Sequence, residues 1–368
     1  MKVAFVQDWL VVDGGAEKVA KEIINCFDAV SIFSLIDFLS DKDREEILGG
    51  RKSTTSFLQK FPNAKNGYRN YFPLFPTAIE SLDFSGFDLI ISSSYAVAKG
   101  IKTTKNQTHI CYCHSPIRYA WDLEDEYLSH VGFFKRTVAK IFLSYIRKWD
   151  VKTANRATHY LTNSHYVAER IKRIYNREAI VIYPPVDTTS FAFELQKENY
   201  YFTSARMVAY KKMDVIVKAF AELPELKLIV SGDGPELEKL KQLATKNVEF
   251  IGFVEKSSLI QSMQKAKAFI LAAEEDFGIT SIEAQSCGTP VIAYKKGGYL
   301  ETVVENKTGL FFEHQTPESI AKSIRSFEAL KTPFNAVDFK TNVEKFSIER
   351  FRKEFKTFLS QHGFPTNK

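Results

Sequence analysis

Residues 274–293 read Glu274-Glu275-Asp276-Phe277-Gly278-Ile279-Thr280-Ser281-Ile282-Glu283-Ala284-Gln285-Ser286-Cys287-Gly288-Thr289-Pro290-Val291-Ile292-Ala293. A strand-like apolar run ending near Ala272 precedes them. The spacing predicts a helix running to Cys287, stopped by Gly288 at the position where a last turn commonly gives way to glycine. Pro290 then opens another buried strand. Glu275 and Glu283 lie eight residues apart. In one continuous helix that separation is about 12 Å of rise and about 80° of rotation. Two such carboxylates are too far apart to act on one atom, but they suit the two ends of an elongated ligand lying across the helix start. Gly278 leaves backbone N–H groups open to a phosphate there. Acidic residues favour a first helical turn in any case, so Glu275 alone could be a solvated helix start. Glu283 fits that account less well, because Ile282 and Ala284 set it in an apolar segment.

Outward from this stretch, short apolar runs alternate with amphipathic helical ones, the pattern of an α/β chain with parallel sheets. Strands are expected at 3–7, 29–34, 88–92, 108–113, 159–163 and 179–183. A second set is expected at 201–204, 226–231, 248–250, 267–272, 290–294 and 309–312. In the second set the connecting helices have about 9 to 12 residues, as a doubly wound fold requires. Tyr183-Pro184-Pro185-Val186-Asp187 separates the sets. Two prolines after a strand forbid a helical turn and stiffen the chain, so this is read as an interdomain hinge. Apolar residues at 346, 348, 351, 355 and 358–359 approximate a last helix, with Pro365 to Lys368 as a frayed tail.

The chain has 368 residues, 45% of them hydrophobic and 26% charged. That excludes a disordered, collagenous or coiled-coil chain. No apolar run reaches the roughly 18 residues of a spanning helix, and Asp8 follows the first strand too soon for a signal peptide. Cys26, Cys111, Cys113 and Cys287 are too few and scattered for a disulfide framework or zinc module. They are read as reduced thiols of a cytoplasmic protein. Fifty Lys and Arg against 44 Asp and Glu permit an acidic partner without demanding one; a nucleic acid is not expected.

Glu-x7-Glu, followed by a cysteine–glycine–threonine–proline turn and a buried strand, resembles the signature of retaining glycosyltransferases of family 4. The resemblance extends over nearly the whole chain, with its pieces in order. It implies the GT-B fold: α/β, with two Rossmann-like doubly wound domains facing each other across a cleft. Residues 1–183 would form the acceptor-binding domain and 184–345 the nucleotide-sugar-binding domain, with a C-terminal helix, 346–360, returning to the first. The stretch from Ser204 to Asp214 looks like the family's arginine–lysine pair, Arg206 and Lys211, which clamps the donor diphosphate. The expected strand end at Ser204 puts both cations where open α/β sheets bind ligands. Arginine offers phosphate a planar fork and lysine a point charge. Lys211 is preferred to Lys212 on the five-residue spacing. Gly232 and Gly234 form a turn that in this family lies beside the nucleotide, and Phe253 belongs to the segment that contacts the base. Phe277, Gly278, Ile279 and Thr280 complete the implied donor site. Glu275 would hydrogen-bond the donor sugar and Glu283 the ribose.

In the first half, Gly14 and Gly15 follow the first strand and open a helix, letting backbone approach the donor phosphate or the acceptor. The glycine pattern is incomplete for a nicotinamide site. Cys111-Tyr112-Cys113-His114-Ser115-Pro116-Ile117-Arg118-Tyr119-Ala120-Trp121-Asp122 crowds polar and aromatic residues behind a strand. Such loops on a rigid scaffold often carry function. The stretch resembles the His-Ser-Pro segment of a bacterial mannosyltransferase subgroup. That implies His114 near the donor sugar and reaction centre, and Arg118, Tyr119 and Trp121 on the acceptor side. Cys111 and Cys113 share a strand face, but no second pair accompanies them and no metal is expected. Asp41-Lys42-Asp43 reads as a capped helix start.

Residues 132–152 have apolar positions at 134, 138, 141, 142, 145 and 149, and six basic residues against the one acid Asp150. Such a helix either lies on an anionic membrane or packs on the core with a solvated basic face. Phe57 to Phe75, aromatic and basic with three nearby prolines, is a weaker candidate for an acceptor or membrane loop.

The expectation is a retaining, metal-independent transferase without a cofactor. Arg206, Lys211 and the helix start would neutralise the leaving diphosphate. No protein nucleophile is evident, and a same-face displacement accounts for retention without one. The His-Ser-Pro stretch favours GDP-mannose, with a UDP-sugar as the alternative. The acceptor would be a glycan or polyprenyl-linked oligosaccharide of bacterial surface-polysaccharide assembly, at the inner face of the plasma membrane. A non-catalytic nucleotide-sugar-binding partner of a glycan synthase is the competing class.

Overall fold

A computed structural model describes residues 1–12, 14–122, 124, 132–330 and 334–366, with the backbone alone at 133–135. The chain divides into two compact units, Met1–Pro185 with Phe351–Lys368, and Val186–Arg350.

The first unit holds seven strands: β1 Val3–Gln7, β2 Ser31–Ser34, β3 Ser53–Thr55, β4 Leu89–Ser94, β5 Thr108–Cys113, β6 His159–Thr162 and β7 Ile180–Val181. They lie in the order β3-β2-β1-β4-β5-β6-β7, and every pairing is parallel. Central strands buried on both faces need continuous apolar runs rather than alternation, and β1 is buried throughout. On one face Val3, Phe5 and Tyr112 pack with Ile23 and Ile24 of the Gly15–Ile24 helix and with Phe351, Phe355 and Leu359. On the other, Ala4, Val6 and Phe33 pack with Phe75, Ile79 and Trp149. β3 was not expected. Ser53-Thr54-Thr55 is a polar edge strand with no apolar run to mark it.

The helix expected over 346–360 spans Ile348–Gln361. Phe351 and Phe355 stack with ring centroids 5.9 Å apart, and Phe351 meets Tyr112 of β5 at 6.1 Å. Each phenyl buried this way is worth about 2–3 kcal/mol. Asp41–Leu48 is a helix whose Ser40 cap accepts from the Asp43 N–H, so that acidic run is a helix start. The Phe133–Thr153 helix turns Leu143, Ile146 and Trp149 to the core. Of the other apolar positions at helical spacing, Val138, Ile141, Phe142 and Tyr145 are exposed, Ile141 by 66%. The side chains at 134 and 135 lie outside the described residues.

The second unit holds β8 Tyr201–Ser204, β9 Leu228–Ser231, β10 Val248–Gly252, β11 Ala268–Leu271, β12 Val291–Tyr294 and β13 Gly309–Phe312. Their order is β10-β9-β8-β11-β12-β13, again all parallel. Strand order reverses between β1 and β4 in one unit and between β8 and β11 in the other. Open α/β sheets bind ligands beyond the strand ends at such reversals.

Candidate active site

Both halves of the reversal in the second unit carry charge. The chain leaving β8 bears Arg206 and, on the short 3-10 turn Ala209–Lys211, Lys211. The chain leaving β11 bears Glu275. Lys211 Nζ is paired with Glu275 Oε1, and both side chains are about four-fifths buried, at 23% and 19% exposure. The ammonium also lies 5.2 Å from the centroid of the Tyr210 ring. A cavity of about 610 Å³ opens here, walled by Arg206, Lys211, Gly232, Phe253, Glu275, Thr280 and Tyr299 among others. Phe253 is 74% exposed. The Gly232 turn is pressed so closely on the Arg206 loop that a Cβ on Gly232 would sit 2.0 Å from the Ala205 carbonyl oxygen, at φ +127°. Only glycine meets both conditions.

The expected helix through Glu275 is corrected. It runs over Ile279–Ser286, and Glu275 stands in the preceding loop, so the two glutamates do not share a helix. Gly278 is why. It adopts φ +88°, and a Cβ on it would lie 2.5 Å from Tyr299 Cε1. The helix therefore starts one residue later, and the N–H groups of Ile279 and Thr280 head it, where amides have no partner within the helix. The Glu275 carbonyl accepts from the Gly298 N–H at 2.8 Å, which places the Gly297-Gly298 stretch beneath the loop. Gly234, Phe277, Gly278, Ile279 and Glu283 do not line the cavity. Phe277, expected at the donor, turns its side chain into the core against Phe346, with centroids 5.4 Å apart. Sequence reasoning missed Tyr210 and Tyr299 as cavity walls. Tyr299 is fully buried, and burial together with the Glu275 charge raises its phenol well above the ordinary range.

In the first unit, Gly14 and Gly15 stand at the head of the Gly15–Ile24 helix, Gly14 as its N-cap; Asp13 lies outside the described residues. His114 directly follows β5. Its Nε2 is 2.8 Å from Ser93 Oγ, and its ring packs beside Tyr112 at 5.1 Å and Tyr95 at 6.0 Å. Tyr119 meets the Phe72 ring edge-on at 4.7 Å, and Arg118, like Tyr119, is half-buried. Trp121, also expected on the acceptor side, is half-buried and tethered on its inner side. Its indole N–H donates to Asp150 Oδ2 at 2.8 Å. Asp150 is itself fully buried with Lys99, at 2.9 Å, and accepts from the Tyr175 hydroxyl.

Burial pushes both His109 and His114 down to about 3 from 6.5. His109 must carry its proton on Nδ1, facing the Arg156 carbonyl at 3.3 Å, so Nε2 accepts from Ser92. Between pH 6.5 and 3 the unfolded chain binds protons at these sites that the folded chain does not. Stability therefore falls as pH drops through that window, by about 1.4 kcal/mol per histidine per pH unit, and these two groups give no slope above it. Urea unfolding at pH 7 and pH 5 checks this. The His109→Gln/His114→Gln chain is expected to show the shallower dependence; equal slopes would reject the assignment.

Two all-parallel doubly wound sheets, with a cation–carboxylate cavity at one order reversal, are the plan of a GT-B glycosyltransferase. Residues 13–190 match the model of Glycosyltransferase Family 4, and residues 186–346 match that of Glycosyl transferases group 1. The chain belongs to the family-4 glycosyltransferases. It is 33% identical over 134 residues to a GDP-mannose-dependent monoacylated alpha-(1-6)-phosphatidylinositol monomannoside mannosyltransferase of Corynebacterium glutamicum, covering 32% of this chain and 35% of that protein. It is 29% identical over 137 residues to a GDP-mannose-dependent alpha-(1-6)-phosphatidylinositol monomannoside mannosyltransferase of Mycolicibacterium smegmatis, covering 33% and 36%. The match thus spans about a third of the length of these curated relatives. Among solved structures, Anabaena HepE in complex with UDP and glucose shares the fold at TM-score 0.69 and 18% identity, covering 98% of this chain and 99% of that one. A sucrose-phosphate synthase from Thermosynechococcus elongatus does so at TM-score 0.71 and 16% identity, covering 99% of each.

Proposed function

We propose that this chain transfers a hexose, with retention and without a metal ion, from a nucleoside-diphosphate sugar to a glycan or polyprenyl-linked acceptor of bacterial surface-polysaccharide assembly. The observation that carries this reading is the placing of Arg206 and the Lys211–Glu275 pair on one 610 Å³ cavity at the β8/β11 reversal. A diphosphate entering that cavity meets a guanidinium fork and an ammonium. Lys211 exchanges its carboxylate partner for phosphate oxygen, which releases Glu275 to hydrogen-bond the sugar. As the bond to the sugar breaks, the two cations stabilise charge gathering on the leaving phosphate, the role a metal ion would otherwise fill. That phosphate then takes the acceptor proton on the same face. His114, held neutral, serves as a hydrogen-bonding group for the sugar. GDP-mannose is the preferred donor, supported by the named activity of the Corynebacterium and Mycolicibacterium relatives; the UDP bound by HepE supports a UDP-sugar as the second reading.

Among the described residues no helix is long and apolar enough to cross a membrane. The exposed stripe Val138, Ile141, Phe142 and Tyr145, flanked by Lys140 and Lys148, supports peripheral docking on anionic lipid, where a polyprenyl acceptor would reside.

Calorimetry with GDP, UDP, GDP-mannose, UDP-glucose and NAD in EDTA tests the reading, with anionic vesicles as a separate arm. The expected result is selective binding of GDP and GDP-mannose, adding about 2.7 kcal/mol of stability at one hundred times Kd. Selective binding of UDP species replaces the donor and keeps the transferase. Binding of NAD alone overturns the whole. Failure to sediment with anionic vesicles removes the docking surface.

A further inference from the structure

Asp8 is the residue directly after β1, and its side chain is fully buried. Its carboxylate accepts from four successive backbone amides. Oδ2 takes Tyr95 at 2.7 Å and Ala96 at 2.8 Å, and Oδ1 takes Val97 at 2.6 Å and Ala98 at 2.7 Å. These amides belong to the segment leaving β4, across the order reversal from β1. Burying a carboxylate costs several kcal/mol unless it is fully bonded, and charge-assisted bonds to four amides meet that condition. The converse also holds. Ala96, Val97 and Ala98 are themselves buried, so without the carboxylate their N–H groups would be stranded from water. The path of this segment is therefore dictated by Asp8.

The last two residues of β4, directly before that segment, hold His114 at two points. Ser93 Oγ lies 2.8 Å from the imidazole Nε2, and the Ser94 carbonyl accepts from the His114 backbone N–H at 2.8 Å. The Tyr95 ring flanks the imidazole at 6.0 Å and meets Trp9 edge-on at 4.8 Å. On its far side the segment is pinned again, because the next residue, Lys99, is the cation of the buried pair with Asp150.

We propose that Asp8 is a positioning residue for His114: it fixes residues 95–98, the direct continuation of β4, and so anchors the end of that strand, where Ser93 sets the orientation of the imidazole. The consequence for turnover rests on the role proposed above for His114; the mechanical link does not. Asparagine at position 8 keeps the shape but turns an NH2 toward two amide donors, so the segment must shift. Ser93→Ala cuts the last link while leaving the carboxylate in place.

The test uses the full chain carrying Asp8→Asn, Ser93→Ala, or both, with Asp8→Glu as the variant to use if Asp8→Asn does not fold. Glutamate keeps the charge but moves it by one methylene. The expected result is that each single change lowers kcat at least tenfold with the donor KM within twofold. The double variant should be no slower than the slower single one, as one shared path requires. In ligand-free protein labelled with 15N-histidine, the His114 Nε2 resonance, assigned by its loss in His114→Gln, is expected to move in every variant. Effects that multiply in the double variant overturn the proposal. So does an unmoved His114 resonance in a folded position-8 variant, whatever its unfolding midpoint. If the unmodified chain transfers no sugar, the functional reading fails, and the resonance still decides whether Asp8 orients His114.

Discussion

Arg206→Ala is expected to lower kcat/KM for sugar transfer by about 10²- to 10³-fold, the cost of removing one preorganised donor to developing charge, with the unfolding midpoint unchanged. The second half follows from where the residue sits. Arg206 is exposed, and its guanidinium makes no ion pair or hydrogen bond among the described residues, so its loss leaves no group stranded. Exposed changes of this kind stay within about 0.5 kcal/mol. The first half follows from its place on the cavity wall beside Lys211 and Glu275. The loss is expected mainly in kcat, because charge on the leaving phosphate grows toward the transition state. Arg206→Lys should recover part of it, since a point charge returns but the planar fork does not. Steady-state kinetics beside urea unfolding checks both halves. Full activity in Arg206→Ala would place the diphosphate elsewhere.

Asp150→Ala is expected to destabilise the fold by about 3–5 kcal/mol, the range for removing one partner of a buried ion pair. Lys99 and Asp150 are 1% and 0% exposed, 2.9 Å apart. Lys99 Nζ also donates to Thr153 Oγ1 and to the Asp150 carbonyl. Those two acceptors remain in the variant, but the charge loses its counterion. Trp121 and Tyr175 lose their common acceptor as well. Replacing both charges, as Lys99→Met with Asp150→Leu, is expected to be far milder than the single change, because no uncompensated charge is left in the core. Urea unfolding of the three variants checks this. A single variant within about 1 kcal/mol of the parent would mean that water reaches Lys99.

The strands were legible where burial on both faces forces an unbroken apolar run. Val3–Val6, Leu89–Ile91 and Phe269–Leu271 need no context to be read. Ser53–Thr55 carries no such mark, because an edge strand of three polar residues is held by hydrogen bonds, to its neighbour strand and from Ser53 to Asp37, rather than by an apolar run. Arg206, Lys211 and Glu275 could be singled out through the family resemblance of their stretches, which the strand ends before them support without being enough to select them. What could not be read was the way the chain between Ala272 and Ile279 turns. Acidic residues before an apolar stretch look like a first helical turn; the left-handed backbone of Gly278, packed against the sequence-distant ring of Tyr299, holds the helix off until Ile279. The inward bond of Trp121 was equally out of reach. Nothing local marks it, because its partner Asp150 lies 29 residues away. Asp8 left a faint signal, a carboxylate directly after an apolar strand, but the four amides that explain it are about ninety residues further along. The Phe133–Thr153 helix carries apolar residues on more than one face, so periodicity alone does not choose which face is buried.

The C-terminal helix bears on the order in which the molecule is made. The chain leaves the first unit at Pro185 and rejoins it at Phe351. A ribosome therefore finishes all of Val186–Arg350, a contiguous body, before it delivers the Phe351, Phe355 and Leu359 side chains that close one face of the first sheet. Until then Phe5, Ile23 and Tyr112 border an open trough on the nascent chain. The body begun second is the first that can close, and the older one keeps that apolar face uncovered until the last helical turns emerge.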